Sequence, residues 1–243
     1  MVFGIQFAAL LTPLYTFYDS FFQPLLAMGP YVSLGFFSAA LAGIFSLIYW
    51  WLLDTDRADE IKEKLEHHQD KMKEARQNDE SDKASKHMSK TLKLNQKFMM
   101  LNFKPMIATM IFVAFIFPWL GSTYSPTVGL HSTGNHTFTG NISYAGQVSQ
   151  IQVVNKSEPV IKFDGQQAKL HQNFKTHGIT WEVMNFMKSP SGSNSDAKLS
   201  INAVFIPLPG NYPLVGNAVN WLGFYLILMM PLSYLFRKAL GVQ

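Results

Sequence analysis

Three stretches without a charged residue interrupt an otherwise polar pattern: Tyr31 to Leu53, Pro105 to Leu120 and Asn217 to Phe236. A helix needs about 20 residues, at ~1.5 Å each, to cross the hydrocarbon of a bilayer. The first stretch, with 23 residues, and the third, with 20, are long enough. The second has 16 residues. It covers about 24 Å of a core roughly 30 Å thick, so it must recruit Phe103, let Lys104 snorkel, or thin the bilayer locally. Three membrane spans follow, at 31–53, 105–121 and 217–236.

Between the first two spans, residues 54–104 hold twelve Lys/Arg, against six in 121–216. Basic residues near span ends mark the cytoplasmic side. Segment 54–104 is therefore read as cytoplasmic, and Arg237 and Lys238 put the tail 237–243 on the same side. The N-terminus, with no Lys or Arg before Arg57, lies outside.

Within 54–104 the pattern predicts a helical hairpin. Ile61, Leu65, His68, Met72 and Ala75 recur at steps of 4, 3, 4 and 3, a coiled-coil-like seam, and Gln77 to Asp82 supplies the turn. On the return helix Lys83, Lys86, Lys90, Lys93, Lys97 and Lys104 fall on one face, while Ala84, Met88, Thr91, Asn95 and Phe98 centre on another. The Lys stripe reads either as a solvated face or as a contact for anionic headgroups or ribosomal RNA, with contact preferred. Each such lysine is worth about 1 kcal/mol near an anionic surface. His67 and His68 point about 100° apart on a helix and read as solvated residues of the arm rather than as metal ligands.

Residues 122–216 differ in kind, being rich in Ser, Thr, Asn and Gly with β-prone stretches at 150–154, 160–163 and 203–206. They predict a β-rich domain outside the membrane. All three N-x-S/T sequons, at Asn135, Asn141 and Asn155, fall here, as an exported segment allows. The first 30 residues lack a basic n-region and are not read as a cleavable signal peptide. Pro13, Asp19, Gln23, Pro24 and Pro30 interrupt them. They read as an interfacial or partly embedded amphipathic segment in preference to a fourth span, which would move the N-terminus inside.

Composition narrows the function classes. Charged residues are 15% of the 243, against about 25% in an ordinary soluble chain, which argues against disorder and a wholly soluble enzyme. Zero cysteines exclude disulfides, Cys-based zinc sites and a catalytic thiol. Neither a phosphate-cradling Gly pattern, nor G-x-S-x-G, nor H-E-x-x-H occurs, so no enzyme activity and no cofactor or metal are expected. Nothing in the charge pattern calls for DNA. Met88, Met99, Met100, Met106 and Met110 cluster within 23 residues. They read as packing filler or as a flexible lining that accepts many apolar segments.

The order of parts is recognisable. A charge-free span is followed by DTDRADEIKEKLEHHQDKMKEARQNDE, a Met-rich return SKTLKLNQKFMMLNFKPM and a span ending in FPWL. The close is PLPGNYPLVGNAVNWLGFYLILMMPLSYLFRKALG. Over about residues 20–121 and 203–241 this resembles the archaeal YidC-like proteins of the Oxa/YidC/Alb membrane insertase superfamily, relatives of the third subunit of the endoplasmic reticulum membrane complex. The resemblance implies an α-helical membrane protein with a three-span insertase core, a cytoplasmic helical hairpin and an inserted β-rich extracytoplasmic domain. It implies a polar groove open to the cytosol that passes polar flanks of nascent membrane proteins without ATP, in the cell membrane. Lys104, Arg237 and Lys238 would be cations at the groove mouth, Thr109, Asn220 and Ser233 its polar lining, and Met99, Met100 and Met106 an apolar slide. Expected partners are nascent membrane proteins, lipids, a ribosome or targeting factor at the basic hairpin, and a small membrane partner subunit. Many relatives carry a basic residue in a groove-lining span, and here no span contains one. The rival reading is a membrane-anchored structural or adhesive protein acting through its β domain.

Overall fold

The computed structural model describes residues 2–134, 136–155, 158–190, 195–212 and 216–241. Five helices flank and follow a β-rich insertion: α1 (Val2–Ala27), α2 (Pro30–Leu52), α3 (Thr55–Gln77), α4 (Ser81–Tyr124) and α5 (Trp221–Ala239). Between α4 and α5 run β1 (Thr127–Gly134), β2 (Thr137–Tyr144), β3 (Gln147–Asn155), β4 (Pro159–Phe163), β5 (Gln166–Ala168), β6 (Asn173–Thr176), β7 (Ile179–Lys188), β8 (Ala197–Tyr212) and β9 (Gly216–Asn220). The chain divides into two compact units, one of residues 1–39 and 115–229 and the other of 40–114 and 230–243.

The predicted β domain lies in the first unit. Its strands run in the order β5-β4-β3-β2-β1-β8-β7-β6, with β9 added to β8. The sheet is nearly a closed barrel. Its two ends meet through one side chain, since the Gln166 amide donates to the Lys175 carbonyl at 3.0 Å and accepts from the Lys175 N–H at 2.9 Å. Alternation fills the interior. Ile151 and Val153 on β3, Ile179, Trp181 and Val183 on β7, and Leu199 and Ile201 on β8 step by two and are all buried. The two-residue loops Asp164–Gly165 and His177–Gly178 hold both central residues at positive φ. That turn geometry matches the twist of tight hairpins.

In the same unit, aromatic residues and a polar knot tie helices to barrel. Trp119 of α4 meets Phe22 and Tyr18 of α1 and Phe37 of α2 at ring separations of 5.5, 5.3 and 5.4 Å. Ser33 of α2 bonds the hydroxyl of Tyr124 at 2.7 Å, that of Tyr144 at 3.4 Å and the Gly29 carbonyl at 2.8 Å. Buried hydroxyls need partners, and this cluster satisfies three from three elements.

In the second unit the hairpin α3–α4 forms as expected, with a turn at 78–80. Asp54 caps α3 by accepting from the Arg57 N–H at 3.1 Å. Exposed pairs such as Lys62–Asp59 and Lys71–Glu74, both 2.9 Å, line its outer face. They add only a few tenths of a kcal/mol each.

Several boundaries differ from those the sequence predicts. The return arm (to 104) and the second span (105–121) are one 44-residue helix that continues through Pro105 and Pro118 to Tyr124, past the expected start of the β domain at 122. The third apolar segment begins as strand, because residues 217–220 belong to β9, and α5 starts only at Trp221. Asn220 enforces that start: its side-chain oxygen accepts from the Gly223 N–H at 3.0 Å, an N-cap bond. The first segment is one continuous helix despite Pro13 and Pro24. Among the described residues two helices, α2 and α4, are long and apolar enough to cross a membrane.

On β2, a Cβ added at Gly140 would sit 2.5 Å from the Gly129 carbonyl oxygen and 2.7 Å from Leu130 Cδ2. Gly140→Ala is expected to destabilise the barrel by about 1–3 kcal/mol, as overpacking does. A lowered midpoint for loss of near-ultraviolet dichroism on heating is the measurement; an unchanged midpoint would show that the sheet yields freely there.

Candidate functional site

The second unit carries an exposed apolar face. Along α4, Met99, Phe103, Met106 and Met110 recur at steps of 4, 3 and 4, which aligns them on one side of the helix. Met99, Met100 and Met110 are 70%, 76% and 67% exposed, and Phe103, Met106, Ile107 and Ile111 are also exposed. Three-bond thioether side chains reshape at little cost, so such a face fits apolar partners of varied shape. Thr109 turns its hydroxyl back to the Met106 carbonyl at 2.9 Å, so its donor is used within the helix.

Cations border this face. Lys104 is exposed within it, and Lys97 precedes it on the same helix. Lys86, Lys90, Lys93 and Lys97 are exposed, and among the described residues none has a carboxylate within 4 Å. Lys83 is different: it pairs with Glu80 at 2.7 Å. The basic stripe therefore holds four lysines without a direct carboxylate partner and one paired with Glu80, and Lys97 is near enough to Glu60 for its charge to help lower that carboxyl's pKa.

The end of α5 docks on α2 within the same unit. Phe236 lies against Gly43, 3.8 Å from where a Cβ would stand. Next to it the Arg237 guanidinium stacks 4.3 Å over the Tyr49 ring, a cation–π contact. Lys238 is exposed and Ser233 half-buried. Trp50 and Trp51 at the end of α2 are exposed, as interfacial aromatic anchors are.

The expected site residues are thus only partly gathered. Lys104, Thr109, Met99, Met100 and Met106 share α4, and Arg237, Lys238 and Ser233 share the end of α5. Asn220 belongs to the first unit, and its side-chain carbonyl is committed to the cap of α5. Of the sequons, Asn141 is exposed on β2 and Asn155 is half-buried at the end of β3, while Asn135 lies outside the described residues.

The hairpin seam also differs from expectation. Ile61 and Ala75 are buried as predicted, but the facing residues on α4 are Ala84, His87, Thr91, Leu94 and Phe98; Met88 and Asn95 are exposed. His68 is not solvated. It is half-buried, its Nδ1 shares a hydrogen bond with His87 Nδ1 at 3.1 Å, and the rings lie 5.2 Å apart.

Comparison with known proteins gives this geometry a context. The sequence model of the EMC3/TMCO1-like integral membrane proteins matches residues 17–138, half of the chain, from α1 into β2. The chain belongs to this family. The EMC3/TMCO1-like proteins are part of the Oxa1/YidC/Alb3 insertase superfamily, so membrane location and an insertase-related role follow from membership. No curated protein and no solved structure matches the chain. The matched stretch contains the whole helical hairpin and the methionine-rich face, and leaves out most of the barrel and α5.

Burial lowers the pKa of His68 first, and the charges of Lys90, His87 and His67 lower it further. The folded hairpin therefore binds fewer protons than the unfolded one. Stability from the seam is fully present above the ordinary histidine value of about 6.5 and is lost as pH falls below it through the depressed value. Spin labels on the outer faces of α3 and α4, simple to place in a chain without cysteine, should report one short distance at pH 7.5 and a longer, broader one near pH 5. His68→Gln should remove that change; a pH-independent distance in the unaltered protein would contradict a titrating role for the pair.

Proposed function

We propose that this EMC3/TMCO1-like protein is a membrane insertase of the archaeal YidC-like kind, passing the polar flanks of nascent membrane proteins across a locally thinned bilayer. It works without ATP, cofactor or covalent chemistry. α2, the apolar part of α4 and α5 serve as its three spans. The N-terminus and barrel lie outside a plasma membrane, with hairpin and C-terminus in the cytosol. One observation carries the reading: the exposed methionine-rich face of α4 continues directly into a helix bearing unpaired lysines.

The chemistry follows from that sequence of surfaces. Lys86, Lys90, Lys93 and Lys97 meet phosphate, either of anionic lipid headgroups or of ribosomal RNA at the exit of a translating ribosome. Beyond them, Met99, Phe103, Met106 and Met110 hold an apolar client segment loosely enough to release it sideways into lipid. Lys104, Arg237 and Lys238 stay at the cytosolic boundary and hydrate the client's polar flank. A charge placed at the bilayer centre costs about 2.5–3.5 kcal/mol on insertion scales, and a thinner, wetter path lowers that barrier. A small partner subunit is the further component we expect beside the bare face of α4.

Reconstituted into liposomes, the protein should protect the translocated tail of a single-span client from protease well above empty liposomes. Replacing Met99, Met100 and Met106 together with Ser should reduce that gain about tenfold, since roughly 1.5 kcal/mol of apolar contact is removed. Deleting residues 125–200 should leave most of it. No gain over empty liposomes would remove the proposal, and a gain indifferent to the methionines would remove the slide.

A further inference from the structure

We propose that the first unit carries a binding pocket for a primary ammonium group, that of an ethanolamine-headed lipid. The pocket, about 210 Å³, lies where α1, the last turn of α4 and the β2–β3 hairpin meet, with Asp19, Ser122, Thr123 and Ser143 presenting oxygen atoms and Leu26 and Gly146 closing it. Asp19 is the only charged residue among the first 53. Among the described residues no Lys, Arg or His stands within 4 Å of it, so its charge is uncompensated by protein.

Hydrogen-bond roles define the ligand. The Trp119 indole N–H donates to Asp19 Oδ1 at 2.8 Å, which fixes the carboxylate and leaves Oδ2 to the pocket. Ser122 and Thr123 both donate their hydroxyl protons to the Trp119 carbonyl, at 2.8 and 3.0 Å. Each of those oxygens therefore turns only lone pairs outward. Carboxylate plus hydroxyl acceptors suit a compact cation with several N–H donors, and charge-assisted bonds to it are the strong kind. A choline headgroup carries the same charge with no N–H and gains none of these bonds.

Position selects the lipid as the source. The apolar run of α4 ends at Gly121, so Ser122 and Thr123 are its first polar residues, at the depth of the headgroups. On α1, Leu26 stands seven residues after Asp19, on the same face of the helix, and lines the pocket with apolar surface. At the pocket's edge Gly146, at φ +80°, leaves room for the Gln23 amide, which a Cβ there would strike.

The full-length protein in nanodiscs of mixed lipids, analysed by native mass spectrometry, tests this. Ethanolamine-headed lipid should be retained about tenfold over choline-headed lipid with the same chains, the factor for roughly 1.4 kcal/mol of charged hydrogen bonding. Asp19→Asn keeps an oxygen for Trp119, so the fold is held, and it should abolish the preference. Ser143→Ala should weaken the preference by about half and serves as a milder second variant. Equal retention of the two lipids, or a preference that survives Asp19→Asn, overturns the proposal. A preference erased by low concentrations of lysine methyl ester overturns the lipid assignment in favour of a polypeptide amine.

Discussion

An apolar surface with no protein against it constrains this molecule more than any contact within it. Almost nothing in the most apolar stretch of α4 is buried. In water such a stretch would drive collapse or association, because each Å² of apolar surface there costs about 25 cal/mol. In lipid the cost vanishes, and backbone bonding inside the helix becomes the only requirement. That one condition accounts for an apolar stretch with no covering layer, whose one hydroxyl, Thr109, bonds back within the helix. The arm beyond Lys104 obeys the opposite rule, packing small residues such as Ala58, Ala75 and Ala84 against its partner helix and turning charge outward.

The membrane segments are visible in the sequence because a water-soluble fold, which must turn polar groups to solvent at every helical turn, seldom tolerates charge-free runs of such length. The bounds of α2 fall within a residue of those expected. The junctions are harder. Pro105 after Lys104 looks like a boundary, yet the helix continues, since neighbouring turns hold the chain on both sides of the missing N–H. The start of α5 is hidden because Asn217 to Asn220 are uncharged, and neutrality does not distinguish a strand from a helix. Asn220 followed by an aromatic run carries the signal for a helix start. In the β domain only three stretches stand out by composition, although Asp164–Gly165 and His177–Gly178 are tight-turn dipeptides that separate further strands.

Side-chain roles are legible where periodicity fixes them and obscure where they depend on distant partners. The exposed lysines and methionines of α4 follow from spacing on a helix. The stacking of Arg237 on Tyr49 joins residues 188 positions apart, and the Ser33–Tyr124–Tyr144 knot joins three elements. No local pattern reports either. His87 escapes notice for a simpler reason: among lysines it reads as solvated, whereas the step of 3 from Ala84 and 4 to Thr91 puts it in the seam.

The way the barrel ends its sheet has a consequence for a protein crowded beside copies of itself. β5 and β6 have three and four residues, and the Gln166 amide occupies backbone groups of β6 that would otherwise stand open. Long bare strand edges act as templates for cross-β growth. Here the template is too short, and partly capped, to recruit another chain. The two ends of the main strand path therefore offer little surface on which a further strand could add.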